Sequence, residues 1–189
     1  MVVKQTRREE ILDAMLELIV ERGFNDAPMS ELSKRSGASA GIIYHYFANK
    51  DDVIDQLYKS IKALKAKSLI ENLLPETPPK EGFVLVWKNA YNFCRKHEKE
   101  TRFLAQYENL PCYSHPDMQA PMMEDPNFAL LLSRFKPKSQ GGPLKELPLE
   151  IMAELSVGVA ARLALQREEL APDMLSAVAE SCWRSVTDD

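Results

Sequence analysis

Residues 29–50, MSELSKRSGASAGIIYHYFANK, constrain this chain more than any other stretch, because two short helices, a glycine turn and an aromatic cluster fit within them. Residues 30–36 carry Leu32 as the one apolar side chain among polar neighbours. Gly37 supplies the left-handed position that stops a helix, and Ser39 has the side-chain oxygen needed to cap the next one. That second helix is expected over residues 40–47, small at its start, where Ala40 and Gly41 let the backbone approach a surface, and aromatic at its end. At helical spacing only Ile43 and Phe47 share a face suited to a core, which leaves Ile42, Tyr44, His45 and Tyr46 outward. This is the plan of a helix-turn-helix, whose second helix reads DNA in the major groove.

The flanking residues complete a small helical unit. Thr6 and Glu9 have the spacing of a capping box, and Ile11, Met15, Leu18 and Ile19 follow as an apolar stripe widened by Leu12 and Leu16. Arg22 and Gly23 end that helix, Phe24 begins a connector, and Pro28 marks the start of the next helix. Asn49 caps a fourth helix with Asp51 and Asp52 in its first turn, where the macrodipole favours acids. Its apolar positions Val53, Ile54, Leu57, Ile61 and Leu64 predict a helix to residue 74 that links the small unit to the rest.

Residues 6–57 resemble the N-terminal domain of the TetR family of bacterial transcriptional regulators. The resemblance rests on Arg22-Gly23-Phe24, on Leu32-Ser33-Lys34-Arg35-Ser36-Gly37, on Gly41-Ile42-Ile43-Tyr44-His45-Tyr46-Phe47 and on Lys50-Asp51-Asp52. It implies an all-α fold, with a three-helix DNA-binding domain at residues 1–50 and a helical effector-binding and dimerisation domain at residues 51–189. It also implies DNA contact at Ser39, Ala40, Gly41, Ile42, Tyr44, His45, Tyr46 and Lys50. The chain departs from the family pattern at Ala40, often a base such as lysine, and at Pro28, often a capping threonine. The chemistry of each position fits separately. Ser39 and the helix amides suit a phosphate oxygen, Ile42 a thymine methyl, Tyr44, Tyr46 and Lys50 phosphates, and His45 either a phosphate or a base.

Beyond residue 74 the sequence reads as further helices. Proline-rich residues 75–79 break the chain, residues 83–97 are strongly helical, and residues 101–109 form a shorter helix. Four prolines and three methionines in residues 110–126 interrupt any period, and a helix returns over 128–135. Residues 136–143 are a loop, and the last helices are expected over 149–168 and from 172 to about 186. The first of these is apolar on two sides, with Ile151, Leu155, Val159 and Leu163 on one stripe and Met152, Ser156, Ala160 and Ala164 on another. A helix apolar over most of its girth is covered on both sides. A homodimer through a four-helix bundle is therefore expected, with Met152, Ser156, Ala160, Leu163, Val178 and Cys182 at its interface. A buried monomer core is the alternative.

Charge qualifies the nucleic-acid reading. The formal net charge is −4, yet in residues 1–50 seven bases balance seven acids, so the remainder of the chain carries the deficit. Lys4, Arg7 and Arg8 at the start can act as an arm on phosphate or the minor groove, or simply be solvated. A neutral unit binds duplex DNA when its bases are focused on one face. No stretch is long and apolar enough to cross a bilayer, the N-terminus lacks a signal-peptide core, and three scattered cysteines fit a reducing compartment, so a cytoplasmic protein without membrane contact is expected.

Aromatic and sulfur side chains of the second domain, with a few polar groups, are candidates to line an effector cavity: Trp87, Tyr91, Arg102, Phe103, Tyr107, His115, Met122 and Phe128. Cys94 with His97 and Cys112 with His115 have a spacing that can hold zinc, but Cys94 sits on a core-like face and neither pair has a finger's arrangement. No nucleophile motif, phosphate-cradling loop or clustered carboxylates suggest an enzyme or a cofactor. The sequence thus reads as a ligand-responsive DNA-binding regulator, a repressor released from a near-palindromic duplex operator by a small, largely apolar effector. A helical protein-interaction module that has lost specific DNA binding is the alternative.

Overall fold

Helix α1 (Arg7–Arg22) begins where its sequence supplies a cap. Thr6 Oγ1 accepts from the Glu9 amide at 3.3 Å, and the Glu9 carboxylate accepts from the Thr6 amide at 2.7 Å, the reciprocal bonds of a capping box. It stops at Gly23, whose φ of 81° lies where residues with a Cβ are strained. The computed structural model describes residues 6–110, 124–166 and 168–188. Among the described residues the regular elements after α1 are α2 (Met29–Ser36), α3 (Ala40–Tyr46), α4 (Lys50–Leu69), α5 (Pro79–Lys96), α6 (Glu98–Tyr107), α7 (Pro126–Arg134), α8 (Leu149–Ala153), α9 (Val159–Ala164) and α10 (Pro172–Val186). A π-helical turn at Glu154–Gly158 joins α8 to α9, and a short 3-10 turn covers Lys138–Gln140. Extended pairing among the described residues is limited to isolated bridges of Leu144 with Pro137 and with Thr187. The fold is all-α, as the sequence predicts.

Two expected helices end early, and a side chain of α5 explains each. Helix α4 stops at Leu69 rather than residue 74, because Asn89 Nδ2 donates to the carbonyls of Leu69 at 3.1 Å and Glu71 at 2.9 Å, while Asn72 turns the chain with φ 61°. The helix expected over 149–168 ends at Ala164, where Arg95 Nη1 donates to the carbonyls of Ala164 at 3.1 Å and Gln166 at 2.9 Å.

The chain groups into two units, Met1–Lys62 with Lys99–Met118, and Ala63–Glu98 with Gln119–Asp189. The core of the first joins Ile11, Met15, Leu18 and Ile19 of α1 to Leu32, Ile43 and Phe47, to Val53, Leu57 and Ile61 of α4, and to Phe103, Leu104 and Tyr107 of α6. The core of the second gathers Trp87, Tyr91, Phe93 and Cys94 of α5 with Ala160, Ala164, Ala179, Trp183 and Val186. The boundary falls inside α4, whose Leu69 belongs to the second core while its earlier turns belong to the first.

Candidate nucleic-acid interface

The turn before α3 is fixed by small residues. Gly37 takes the left-handed conformation, φ 65° and ψ 13°, that closes α2. Ser36 Oγ donates to the Leu32 carbonyl at 2.7 Å and accepts from the Ala38 amide at 3.3 Å, and Ser33 Oγ donates to the Ala38 carbonyl at 2.7 Å. Two serines of α2 thus hold the peptide that leads into α3. Ser39 Oγ then accepts from the Ile42 amide at 3.4 Å as the N-cap. Ile43 and Phe47 are buried, which pins α3 to the core by one face.

The other face is open. Ile42, Tyr44 and Tyr46 are 40%, 55% and 41% exposed, and Ala40, Gly41 and His45 are exposed with them. Exposed apolar and aromatic groups clustered on one short helix mark an interaction surface. The His45 ring sits edge-on to the Tyr46 ring, centroids 5.1 Å apart. Lys50 follows at the start of α4, where its Nζ donates to the Phe24 carbonyl at 2.6 Å. An ammonium has three donors, so this bond leaves two N–H groups.

Several interactions that local sequence does not spell out hold this face in place. Asp52 accepts from the Ala48 amide at 2.8 Å and from Gln56 Nε2 at 2.9 Å, and Asn49 Oδ1 caps the Asp52 amide at 2.9 Å. The Gln56 bond first, and the Ala48 amide second, hold the Asp52 carboxyl below the usual aspartate range. Gln56 Oε1 in turn accepts from Arg8, whose guanidinium lies 5.7 Å from the Phe47 ring centroid. Arg8 is therefore tied into the domain, while Arg7 pairs with Glu10 of its own helix at 2.6 Å; Lys4 lies outside the described residues. Arg35 forms a two-pronged pair with Glu21 at 2.7 and 2.8 Å, which raises the arginine's pKa and lowers that of the glutamate. Lys34 pairs with Glu31 at 2.8 Å. Asn49 with Asp52 had a legible spacing; Lys50 with Phe24, and Arg8 with Gln56, had none.

A helix-turn-helix with an open second helix is the architecture to which the family models correspond. Residues 11–57 match the model for bacterial regulatory proteins, tetR family, and residues 78–187 match the tetracyclin repressor-like C-terminal domain. This chain belongs to the TetR family. It is 28% identical over 182 residues to an uncharacterized HTH-type transcriptional regulator of Haemophilus influenzae, a match covering 94% of each chain. A TetR family protein from Vibrio parahaemolyticus superposes with a TM-score of 0.79 at 26% identity, over 96% of this chain and 99% of that one. The transcriptional regulator FadR from Bacillus subtilis, solved in complex with stearoyl-CoA, shares the fold at a TM-score of 0.67 and 19% identity, over 93% and 95% of the two chains. The chain is thus a DNA-binding transcriptional regulator of the TetR family.

The remaining sequence candidates of this TetR-family chain fall in different places. Trp87 and Tyr91 are fully enclosed in the second core, with rings parallel at 6.3 Å, and Phe128 packs half-buried against it. Phe103 and Tyr107 belong to the first core, stacked at 5.7 Å beside Phe24, so the structure does not gather the expected effector residues into one core. The reason is that α6 turns its aromatic face onto α1 and α4, where Tyr107 Oη also donates to Asp55 at 2.7 Å. Arg102 is exposed on α6, and His115 and Met122 lie outside the described residues. Cys94 is buried in the second core and His97 stacks on Phe93 at 4.6 Å, while Cys112 and His115 lie outside the described residues. Among the described residues no three His, Cys, Asp or Glu side chains converge as metal ligands.

Of the six residues expected at a dimer face, Ser156, Ala160 and Cys182 are covered by the chain's own second core, and Met152, Leu163 and Val178 are half-buried. Ala160 and Ala164 of the small-residue stripe pack in one core with Trp87, Ala90, Tyr91 and Cys94 of α5. Ile151, Leu155 and Met174 are among the outward apolar side chains, at 48%, 38% and 52% exposure. Leu155, Val159, Met174, Val178 and Cys182 line a shallow open groove of about 450 Å³ between the π turn with α9 and α10. Among the described residues no helix is long and apolar enough to cross a membrane.

Proposed function

We propose that this chain is a ligand-responsive repressor that binds a near-palindromic duplex operator as a homodimer and is released by a small, largely apolar effector. The observation that carries operator binding is the open face of α3, which exposes Ile42, Tyr44 and Tyr46 on a helix anchored through Ile43 and Phe47. Ala40, Gly41, Ile42 and His45 meet base edges and backbone in the groove. Ser39, Tyr44, Tyr46 and Lys50 hold phosphates, which position the helix.

Two copies joined along Ile151, Leu155, Met174 and the neighbouring groove set their α3 helices into successive major grooves, roughly 34 to 36 Å apart. An apolar face of this kind on the second unit supports the dimer, because exposed large apolar side chains at helical spacing are favourably covered. The stearoyl-CoA bound by the Bacillus subtilis FadR, which shares the fold, supports an apolar effector. Helix α4 contributes to both cores, so a ligand that prefers one placement of its last turns alters the α3 separation and favours a state that fits DNA poorly. The protein works in the cytoplasm, with its operator.

Selection from a random duplex library at moderate salt tests this reading. An enriched inverted repeat is the expected result. A folded protein that enriches no sequence contradicts it and favours a helical protein-interaction module.

A further inference from the structure

The part of α3 farthest from the core follows from helix geometry. Ile43 and Phe47 face inward, and at about 100° per residue the positions on the opposite side are Gly41 and His45, four apart and one above the other. Ile42 and Tyr44 flank that line. Gly41 is not required by the fold: its φ lies outside the left-handed region, and a Cβ built there meets only Ser39 Oγ, at 4.0 Å. A glycine weakens a helix relative to alanine, so one placed at the outermost point of a seven-residue helix without an internal reason points to an external object that approaches the backbone there.

His45 stands beside that bare spot. Its ring is set edge-on to Tyr46, and among the described residues neither ring nitrogen has a hydrogen-bond partner. The helix AGIIYHY contains no Arg, Lys, Asn or Gln, the side chains that grip a guanine or adenine edge by two bonds. Hydrogen-bond reading by the centre of α3 therefore falls to the imidazole. A single ring N–H fits guanine, which presents N7 and O6 as adjacent acceptors. At adenine the N6 amino group beside N7 opposes a donor.

We propose that His45 is a specificity-determining residue of α3, donating a ring N–H to the N7/O6 edge of one guanine in each half-site, with Gly41 as the clearance that lets the helix sit deep enough for it to reach. This assignment rests on the operator binding proposed above. The test takes the duplex selected by the wild-type chain, substitutes each base pair of the half-site in turn, and measures affinity at fixed salt. The wild type is expected to prefer guanine at one position by roughly five- to tenfold. His45→Ala should bind all four pairs there within about twofold while keeping its profile elsewhere, and His45→Arg should retain the guanine preference. Gly41→Ala should melt no lower than wild type, yet lose about tenfold or more in affinity at every sequence. An unchanged profile in His45→Ala, with a wild-type site in hand, overturns this assignment alone, as does full affinity in Gly41→Ala. A wild type that selects no site overturns it together with the operator reading.

Discussion

Tyr44 shows how a single side chain separates stability from function here. It is 55% exposed on α3, and its hydroxyl reaches phosphate if the helix docks as proposed. Tyr44→Ala should leave the melting temperature within about 2 °C of wild type, since exposed positions change stability by only a few tenths of a kcal/mol. Operator affinity should fall about tenfold, read by anisotropy. Unchanged affinity would misplace the reading face. Asp52 acts in the opposite sense, on stability. Its carboxyl is held below the ordinary aspartate value, so its contribution is present above pH about 4 and is lost as the pH falls through the lower, folded value. The stability gap between wild type and Asp52→Asn, measured by thermal melts, should therefore narrow as the pH drops from about 5 to 3. A gap that widens would contradict the network with Gln56 and Ala48. The inward and outward residues of α3 were legible in the sequence because one short helix with two apolar positions four apart admits one burial pattern. The bond from Lys50 to the Phe24 carbonyl was not, because residues 26 apart in sequence meet through a loop whose path local chemistry does not set.

At the level of elements, caps decide what the sequence reveals. The capping box of Thr6 with Glu9, the left-handed Gly37 and the Ser39 cap are local, and α1, α2 and α3 start or stop where these residues direct. The early ends of α4 and α9 are imposed by Asn89 and Arg95, both on α5, and no window around residues 69 or 164 contains that information. The π turn at Glu154–Gly158 belongs to the same class. Trp87, fully buried, donates its indole N–H to the Ser156 carbonyl at 3.1 Å, and Ser156 Oγ folds back onto the Met152 carbonyl at 2.6 Å. The widened turn thus has a partner on α5. Trp87→Phe removes the donor and leaves a void, and should cost about 1 to 3 kcal/mol of unfolding free energy in urea titrations. A variant as stable as wild type would mean that the Trp87 bond does not support the turn.

On the scale of the whole molecule, the acidic balance of the chain does not oppose DNA binding, because residues 1–50 are neutral and the deficit lies beyond them. Three of their seven bases, Arg7, Lys34 and Arg35, are engaged in ion pairs, so the proposed grip adds hydroxyls, backbone amides and duplication of the site in a dimer to the charge of Lys50. Leu155→Glu tests that duplication. The side chain is 38% exposed in the single chain, so a glutamate is tolerated by the fold but places an uncompensated charge in the proposed interface. The variant should sediment as a monomer and lose operator affinity by about a hundredfold or more. A dimer that survives the change would move the interface elsewhere. The most direct single measurement is a titration of the selected duplex at increasing salt, read for both stoichiometry and affinity. Dimeric operator binding requires two chains per duplex and an affinity that falls log-linearly with salt. One chain per duplex, or binding indifferent to salt, would contradict it.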